Sequence, residues 1–406
     1  MRRSRIASVI AMGAISLPLL ASTTSAVAAS PRTPTATSWK QVAELKGSGT
    51  VAGDEFGGSV AISGTTAVIG APGVGNKQYP SGRAYVFTKT VTGWKQAAEL
   101  KGFYTSEGDV FGASVAISGT NILVSSPYGT GSGRATIGGA YVFANAAAGW
   151  TQVAELNGSD TFEDDFGGSV AISGTTAIVS QRKGHTGGLA TRMYVYTKTA
   201  AGWKGTAELK GFDIVANWWF GSVAISGTTI VVGSTNANRA YVFTKRATGW
   251  KRVAELKGSD TVAGDDFGSS VAISGTTIVV GALNHDNFGR AYVFTKTATG
   301  WTQVAELNGS DIVGAIHEFD QFGESVAISG TTAVVGCSNA NRAYVFAKTA
   351  AGWVQVAELK GSDTVDHSRT YLGDYFGGSV AISGTTIVVG AEGHARSAGR
   401  AYVFEA

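Results

Sequence analysis

Residues 56–72 read F-G-G-S-V-A-I-S-G-T-T-A-V-I-G-A-P, and this stretch decides the fold because versions of it recur along the chain. Its two runs rich in Val, Ile and Ala are separated by Ser-Gly-Thr, which is too short for anything but a tight hairpin. Two further runs follow, R-A-Y-V-F-T at 83–88 and W-K-Q-A-A-E-L at 94–100. The unit is therefore predicted to contain four short strands, each antiparallel to the next.

The whole unit occurs seven times, and its tryptophans recur at spacings of 47 to 56 residues. They are Trp39, Trp94, Trp150, Trp203, Trp250, Trp301 and Trp353. Four-stranded units at this period predict an all-β fold, a seven-bladed β-propeller with four antiparallel strands per blade. The sequence begins with a fourth-strand segment at 39–45 and ends with a third-strand segment at 401–404. We expect the N-terminal strand to complete the last blade, because a closed ring leaves no open sheet edge.

The first thirty residues have the features of an export signal. Arg2, Arg3 and Arg5 precede an uncharged apolar stretch and an A-V-A motif at 26–28. The pattern predicts a cleaved signal peptide at 1–29, a short linker at 30–38 and the propeller at 39–406. The expected location is secreted and extracellular, with no membrane span, because no later stretch is long and apolar enough. The three arginines account for the net charge of +3, so no nucleic-acid partner is expected.

The segment 56–72 and its copies resemble the FG-GAP repeat, over essentially the whole of the mature chain. This resemblance implies a propeller like the N-terminal head of integrin α subunits, with the F-G strands innermost and the Trp strands outermost. Similar units occur in bacterial secreted proteins. Calcium-binding integrin blades carry a D-x-D-x-D-G loop between the first two strands. All seven corresponding turns here are Ser-Gly-Thr, so no metal and no cofactor is expected.

In such a blade, the connections between strands two and three and between consecutive blades lie on one face of the disc. These connections vary in length and chemistry, whereas the other turns hardly vary, so we name this the variable-loop face. Its candidate ligand-binding residues are Tyr79, Tyr104, Tyr128, Trp218, His285, Asp286, Phe288, His317, Arg369 and Tyr371. Loops held by a rigid scaffold often carry binding residues. The alternative is that these loops are under little sequence constraint and have acquired such residue types without a function.

Two charged residue types recur with the repeat. Aspartate stands two residues before the F-G phenylalanine at Asp54, Asp109, Asp164, Asp265, Asp320 and Asp374. Arginine precedes the A-Y-V-F run or its equivalent at Arg83, Arg192, Arg239, Arg290, Arg342 and Arg400. We interpret the aspartates as acceptors of backbone N–H bonds that close a loop, the alternative being a functional acidic ring. Arginine is expected to pair with aspartate, and the glutamate of the Trp strand is assigned to surface solvation.

Three functions remain open. The first is a non-enzymatic recognition or adhesion module that binds an extracellular protein or glycan through the variable-loop face, acting as a monomer. The second is a lectin with sugar pockets between blades, for which Tyr79, Tyr128 and Tyr371 are candidates. The third is a hydrolase or lyase that uses loop carboxylates and histidines, although the sequence contains no catalytic motif. The one cysteine, Cys337, is predicted to be a buried, inert thiol.

Overall fold

The computed structural model describes residues 38–75, 77–128, 138–158, 165–183, 190–210, 222–312, 320–365 and 373–406. Its strands are β1 (Lys40–Leu45), β2 (Ser59–Ser63), β3 (Thr66–Ala71), β4 (Arg83–Thr90), β5 (Gly93–Leu100), β6 (Val115–Ser118), β7 (Asn121–Ser126), β8 (Gly139–Ala146), β9 (Gly149–Leu156), β10 (Asp165–Ser173), β11 (Thr176–Lys183), β12 (Ala190–Thr199), β13 (Gly202–Leu209), β14 (Val223–Ser226), β15 (Thr229–Ser234), β16 (Arg239–Arg246), β17 (Gly249–Leu256), β18 (Phe267–Ser274), β19 (Thr277–Ala282), β20 (Arg290–Thr297), β21 (Gly300–Leu307), β22 (Val326–Ser329), β23 (Thr332–Cys337), β24 (Arg342–Thr349), β25 (Gly352–Leu359), β26 (Phe376–Ser383), β27 (Thr386–Ala391) and β28 (Arg400–Glu405). Two single helical turns accompany them, His285–Asn287 and His394–Ser397.

The strands form seven four-stranded antiparallel sheets, as the repeat predicts. Blades one to six each use four consecutive strands, from β2–β5 in blade one to β22–β25 in blade six. Blade seven has the order β1-β28-β27-β26, so the N-terminal strand is its outermost strand. The pairing runs from Lys40 opposite Glu405 to Leu45 opposite Ala401. The prediction that the first strand completes the last blade is confirmed.

The first strands of neighbouring blades contact one another around the ring, including β2 with β6 and β2 with β26. The Trp-containing strands form the outer edge, where exposed and half-buried residues alternate, as in β5. The F-G strands are therefore innermost, as the resemblance implies. Within the described part of the chain, no helix is both long and apolar enough to cross a membrane.

The core lies between consecutive blades. Phe56 is fully buried, and its ring centroid lies 5.6 Å from that of Tyr85 and 6.0 Å from that of Phe87 in the same blade. The same cluster contains Val388 and Val403 of blade seven, so each blade buries its apolar surface against its neighbour. Half-buried tryptophans such as Trp94 pack against these clusters.

The glycines that follow the described F-G phenylalanines lie where adjacent blades approach closely. Gly57 has a φ of +98°, and a Cβ added there would lie 2.2 Å from the carbonyl oxygen of Arg400 in blade seven. Gly64, in the Ser-Gly-Thr turn, has a φ of +57° and no atom within 4 Å of an added Cβ. The first glycine is required by the packing of two blades, and the second only by the backbone conformation of its turn.

The repeated aspartates close the loops that enter the inner strands, as predicted. The Oδ2 atom of Asp54 accepts a hydrogen bond from the backbone N–H of Val51 at 2.8 Å. Equivalent bonds in three other blades have lengths of 2.6 to 2.7 Å and are accepted by Asp109, Asp265 and Asp374. Asp320 is buried at its loop, and Asp164 lies outside the described residues. Four of the six aspartates thus have a structural explanation.

The expected pairing of arginine with aspartate is wrong. In blade one, the Nε atom of Arg83 lies 2.9 Å from Oε1 of Glu99, and Tyr85 is the cross-strand partner of that glutamate. The same pair forms in the other blades that have this arginine: Arg192–Glu208, Arg239–Glu255, Arg290–Glu306, Arg342–Glu358 and Arg400–Glu44. The glutamate lies on the neighbouring strand of the same sheet, whereas the aspartate side chain is turned into its own loop. Surface solvation is therefore not the glutamate's main role.

The chain presents two different faces. The turns within the first and last strand pairs of each blade, Ser-Gly-Thr and the hairpin before each tryptophan, form what we name the repeat-turn face. The remaining connections form the variable-loop face, because consecutive strands are antiparallel.

Cys337, at the end of β23 on that side, is fully buried, and burial raises the pKa of its thiol well above the usual range, in agreement with an inert thiol.

Candidate functional site

Four aromatic side chains form an exposed aromatic patch on the variable-loop face, comprising Tyr79, Phe103, Tyr104 and Tyr128. Phe103 and Tyr104 are 77% and 78% exposed, in the connection between β5 and β6. Tyr79 lies between β3 and β4, and Tyr128 follows β7. Across the described ranges these four are the only aromatic residues among the large exposed hydrophobic side chains.

Backbone and side-chain hydrogen bonds hold the three connections of this patch side by side. The N–H of Gly108 donates to the carbonyl of Tyr79 at 3.1 Å, and that of Phe111 donates to Ser81 at 3.0 Å. The Ser126 hydroxyl, two residues before Tyr128, donates to the carbonyl of Asp109 at 2.8 Å. The patch therefore spans blades one and two on fixed backbone.

Tyr79, Tyr104 and Tyr128 were candidates from the sequence, but Phe103 was missed. A signal was present, because residues 101–104 read K-G-F-Y where blades five and seven have K-G-S-D at the equivalent place. The backbone N–H of Phe103 still donates to Oε1 of Gln152 at 2.9 Å, as that of Ser259 does to Gln303. Two exposed aromatic side chains thus replace Ser and Asp without loss of the local backbone contact.

A polar cavity of about 240 Å³ opens among the first strands of blades six, seven and one. It is lined by Gly57, Gly58, Gln321, Glu324, Ser338, Asn339, Tyr375, Gly378 and Glu392. A Cβ on Gly58 would lie 2.7 Å from Oε2 of Glu392, so the missing side chain of blade one makes room for the carboxylate of blade seven. The cavity depends on three blades that meet through ring closure.

Three glutamates around this cavity have perturbed ionisation. Burial, followed by the nearby charges of Glu55 and Glu324, raises the pKa of Glu392 to about 7. Burial also raises the pKa of Glu324, although hydrogen bonds from Ser338 oppose the shift. Burial also raises the pKa of Glu55, although the nearby charge of Lys77 opposes part of the shift. The cavity therefore contains a carboxyl group that exchanges a proton near neutral pH.

These glutamates are not among the candidate residues found from the sequence. Glu324 stands where blades one and seven have Gly58 and Gly378, and Glu392 stands where blade one has Pro72. Both are departures from the repeat, and that was the signal available. Their proximity was not available from the sequence, because it depends on how blades six, seven and one meet.

His285 lies among three carboxylates. Its side chain is 6% exposed; Nδ1 lies 2.8 Å from Asp265, and Nε2 lies 3.3 Å from Asp286 and 3.5 Å from Asp260. Blade seven repeats the motif, with His394 3.3 Å from Asp374 and 3.5 Å from Asp363. The tyrosines Tyr292 and Tyr402 donate to Asp260 and Asp363. These clusters brace the connections.

Phe288 is half-buried against the core between blades five and six, whereas the side chain of Asp286 is 65% exposed. Of the candidates from the sequence, Trp218, His317, Arg369 and Tyr371 lie outside the described residues. In the described part, no group of three or more His, Cys, Asp or Glu side chains could hold a metal ion. The absence of a cofactor remains a prediction.

A family model described as FG-GAP repeat matches residues 39–87, 94–143, 150–196, 250–294, 301–346 and 353–404, well over half of the chain. Residues 197–249, which include most of blade four, fall between two of these matches. No curated protein matches the chain.

Solved structures with a similar fold come from several bacteria. A protein from Lactobacillus plantarum is 13% identical, with a TM-score of 0.52, and the match covers 80% of this chain and 88% of that one. A functionally unknown protein from Desulfotomaculum acetoxidans is 14% identical, with a TM-score of 0.50 and coverages of 82% and 90%. A protein from Bacteroides uniformis, provisionally assigned as a 6-phosphogluconolactonase, is 12% identical, with a TM-score of 0.53 and coverages of 75% and 85%. Such low identities show the fold alone.

Proposed function

The chain belongs to the FG-GAP repeat family, and on that premise we propose that it is a secreted, non-enzymatic recognition or adhesion module. It binds an extracellular protein or glycan through the variable-loop face, as a monomer and without a cofactor. The observation that carries this proposal is the exposed aromatic patch. Large aromatic side chains are enriched at the centre of binding interfaces, where they bury much area for little lost side-chain freedom.

The scaffold supports this assignment because it fixes the patch before any ligand arrives. Binding is strengthened when interface segments are already ordered, since less conformational entropy is lost. The connections that carry Tyr79 and Tyr104 are joined by backbone hydrogen bonds, and both leave rigid strands. Exposed aromatics grouped on one side of the disc contrast with a repeat-turn face on which no described residue is an exposed aromatic.

A lectin is the closest alternative within the same proposal. Tyrosine rings stack on the apolar faces of sugars while their hydroxyl groups remain available for hydrogen bonds. Tyr79 and Tyr128 are exposed on neighbouring blades, which favours a shallow glycan site over a deep pocket. Tyr371, the third candidate, lies outside the described residues.

The test uses a variant that restores the repeat. F103S/Y104D converts K-G-F-Y into K-G-S-D, the sequence that blades five and seven carry at this place. Wild-type chain and variant are compared on a glycan array and on a panel of purified extracellular matrix proteins. We expect at least one ligand for the wild-type chain and about a tenfold or greater loss of affinity in the variant.

The matched control is V304T, which changes an exposed apolar side chain on the outer strand β21 of blade five. It should leave every affinity unchanged. Ligands retained equally by F103S/Y104D would contradict the aromatic patch as the binding surface. Glycan binding without protein binding would select the lectin, and the reverse would select protein recognition.

A second candidate function is a hydrolase or lyase that uses the polar cavity. It is favoured by one observation: a carboxyl group with a pKa of about 7 suits a general acid near neutral pH, and Glu392 lines the same cavity as Glu324. Turnover of chromogenic glycoside and ester substrates, lost in E392Q and retained in F103S/Y104D, would support it. No turnover across this panel would leave recognition as the function.

A further inference from the structure

Exposed lysines and arginines collect on the repeat-turn face. They belong to the ends of the third strands and the starts of the outer strands, and we name the set the basic face: Lys40, Lys89, Lys95, Lys198, Lys204, Lys245, Arg246, Lys251, Lys296 and Lys348. All ten side chains are exposed. They extend over blades one, three, four, five, six and seven, so the positive charge follows much of the rim.

Carboxylates are nearly missing from this face. Over the described ranges, Glu405 is the only Asp or Glu at the repeat-turn end of a blade, and it lies 2.6 Å from Lys89. Lys198 donates to the side-chain oxygen of Asn121 at 3.1 Å. The other eight members make no ion pair with a described residue, whereas the repeated arginines of the opposite face each have a glutamate.

The positive charge is densest on the hairpin of blade four. Residues 244–252 read T-K-R-A-T-G-W-K-R, whereas blade five has T-K-T-A-T-G-W-T-Q at the same place. Lys245 and Arg246 end β16, and Lys251 lies on β17 opposite Thr244. Three cations thus project from one tight hairpin. Arg246 is again a departure from the repeat, and Lys245 and Arg246 lie in the segment that the family model does not match.

The near-zero net charge of the mature chain therefore conceals a separation of charge. One face is positive, and the other carries the remaining carboxylates, including the Glu55, Glu324 and Glu392 group. Local potential depends on how charges are distributed as well as on their sum, and a single-sign surface raises the local concentration of oppositely charged ligands. A polyanion is attracted to the basic face even though Lys and Arg balance Asp and Glu over residues 30–406.

We propose that the repeat-turn face binds an anionic polysaccharide, centred on the blade four hairpin. A bilayer fits less well, because Val91 is the only large exposed apolar side chain among the described turn residues of this face, too little for insertion. A single-stranded nucleic acid fits less well, because no described residue of the face presents an exposed aromatic ring on which bases could stack. A sulfated or carboxylated sugar chain needs only cations along its path and hydroxyl partners, which the Ser-Gly-Thr turns supply.

This inference goes beyond the proposed function, because it uses the opposite side of the disc. Attachment through the repeat-turn face leaves the variable-loop face free for its own ligand. Experiments can separate binding through the two faces, because F103S/Y104D leaves the basic face intact and changes on the basic face leave the aromatic patch intact.

The experiment measures affinity for heparin and for polygalacturonate, with neutral dextran as the blank, as a function of salt. K245Q/R246Q/K251Q removes three charges from the blade four hairpin. The matched control K46Q/K101Q/K257Q removes three exposed lysines at the opposite end of the blades, so both variants have the same net charge. Circular dichroism verifies that each variant is folded.

We expect the wild-type chain to bind both anionic polymers but not dextran. The blade four variant should lose affinity about tenfold or more, and the slope of log K against log salt should fall by about 2, as for three lost contacts on a flexible polyanion. The control should change affinity less than about twofold. Equal losses in both triple variants, or no binding by the wild-type chain, would overturn the proposal.

Two further arms test the class of partner. Phosphatidylserine vesicles and single-stranded DNA are titrated under the same conditions with the same variants. Weaker binding to both than to heparin supports the polysaccharide, and binding as tight as heparin to either one contradicts it. The F103S/Y104D variant is run in parallel and should keep its affinity for heparin whether or not its own face has a ligand.

Discussion

The repeat-turn face and the variable-loop face are connected by the same strands, but they differ in how similar their residues are from blade to blade. On the repeat-turn face, short turns repeat almost unchanged, and Glu405 is the one described carboxylate among the exposed cations. On the variable-loop face, the repeated Asp, Arg and Glu hold the connections, and the residues that break the repeat form the aromatic patch and the polar cavity. Repetition thus identifies scaffold, and departure from it identifies candidate sites.

The largest expected effect concerns two glycines. Gly57 packs against the next blade, whereas Gly64 lies in a turn with open space around it. In G57A, the added Cβ meets the Arg400 carbonyl of the next blade, so we expect a loss of more than about 3 kcal/mol in the free energy of unfolding. In G64A, only the left-handed backbone is penalised, at a cost of about 1 kcal/mol. Urea unfolding of both variants measures the difference. Equal losses would show that blade-to-blade packing is not what requires Gly57.

Glu392 supplies a pH-dependent contrast. Its pKa is raised from 4.5 to about 7, so between these values the folded chain binds more protons than the unfolded chain. Its contribution to the free energy of unfolding therefore falls as pH rises through that window. E392Q should stabilise the chain by up to about 3 kcal/mol at about pH 8 and have little effect near pH 4.

The matched variant for this test is E405Q on the repeat-turn face. Glu405 is a surface ion-pair partner of Lys89, so its loss should cost less than about 1 kcal/mol at either pH. Thermal unfolding at several pH values gives both profiles. A flat profile for the difference between wild type and E392Q would contradict the assigned ionisation.

The H285A variant tests whether the contacts between His285 and the carboxylates around it stabilise the connection between β19 and β20. In H285A, Asp260 and Asp265 lose the ring between them, and buried Asp265 loses its 2.8 Å contact. We expect a loss of about 1–3 kcal/mol, as for an uncompensated buried polar group. D286N, which alters the exposed member of the cluster, should cost less. A larger loss in D286N than in H285A would contradict this role.

The smallest expected effect concerns the arginine–glutamate pairs. A double-mutant cycle on Arg239 and Glu255, with glutamine at each position, should give a coupling energy below about 1 kcal/mol, because both groups are partly exposed. The measurement is urea unfolding of the two single variants and the double variant. A coupling of several kcal/mol would mean that these pairs contribute much more to stability than their exposure suggests.

The fold could be predicted from the sequence because the apolar runs of each repeat indicate its strands and the short segments between them indicate its turns. The order of the repeats along the chain indicates the order of the blades in the ring. Trp39 at the start and Phe404 at the end even indicated how the ring closes. The Arg83–Glu99 pair could not be read in the same way, since it depends on the strand register and on the bulge at Val86 and Phe87.

The candidate site was only partly predictable. Tyr79, Tyr104 and Tyr128 were found by residue type and loop position, but Phe103 required a comparison of each blade with the others. Glu324 and Glu392 meet Gly58 across three blades that are far apart in the sequence, so only the closed structure brings them together. His285 was a candidate by type, and the carboxylates that surround its buried side chain could not be identified from the sequence.

The pairing of Lys40–Leu45 with Arg400–Glu405 has a consequence for biosynthesis. Blade seven can form only after β28 has been synthesised, so until then β1 has no partner strand, although the other six blades can already form. A chain that stops before β28 has no partner for its first strand, and it exposes two adhesive edges. Only a chain that contains both β1 and β28 can close the ring, so closure requires two segments at opposite ends of residues 40–405.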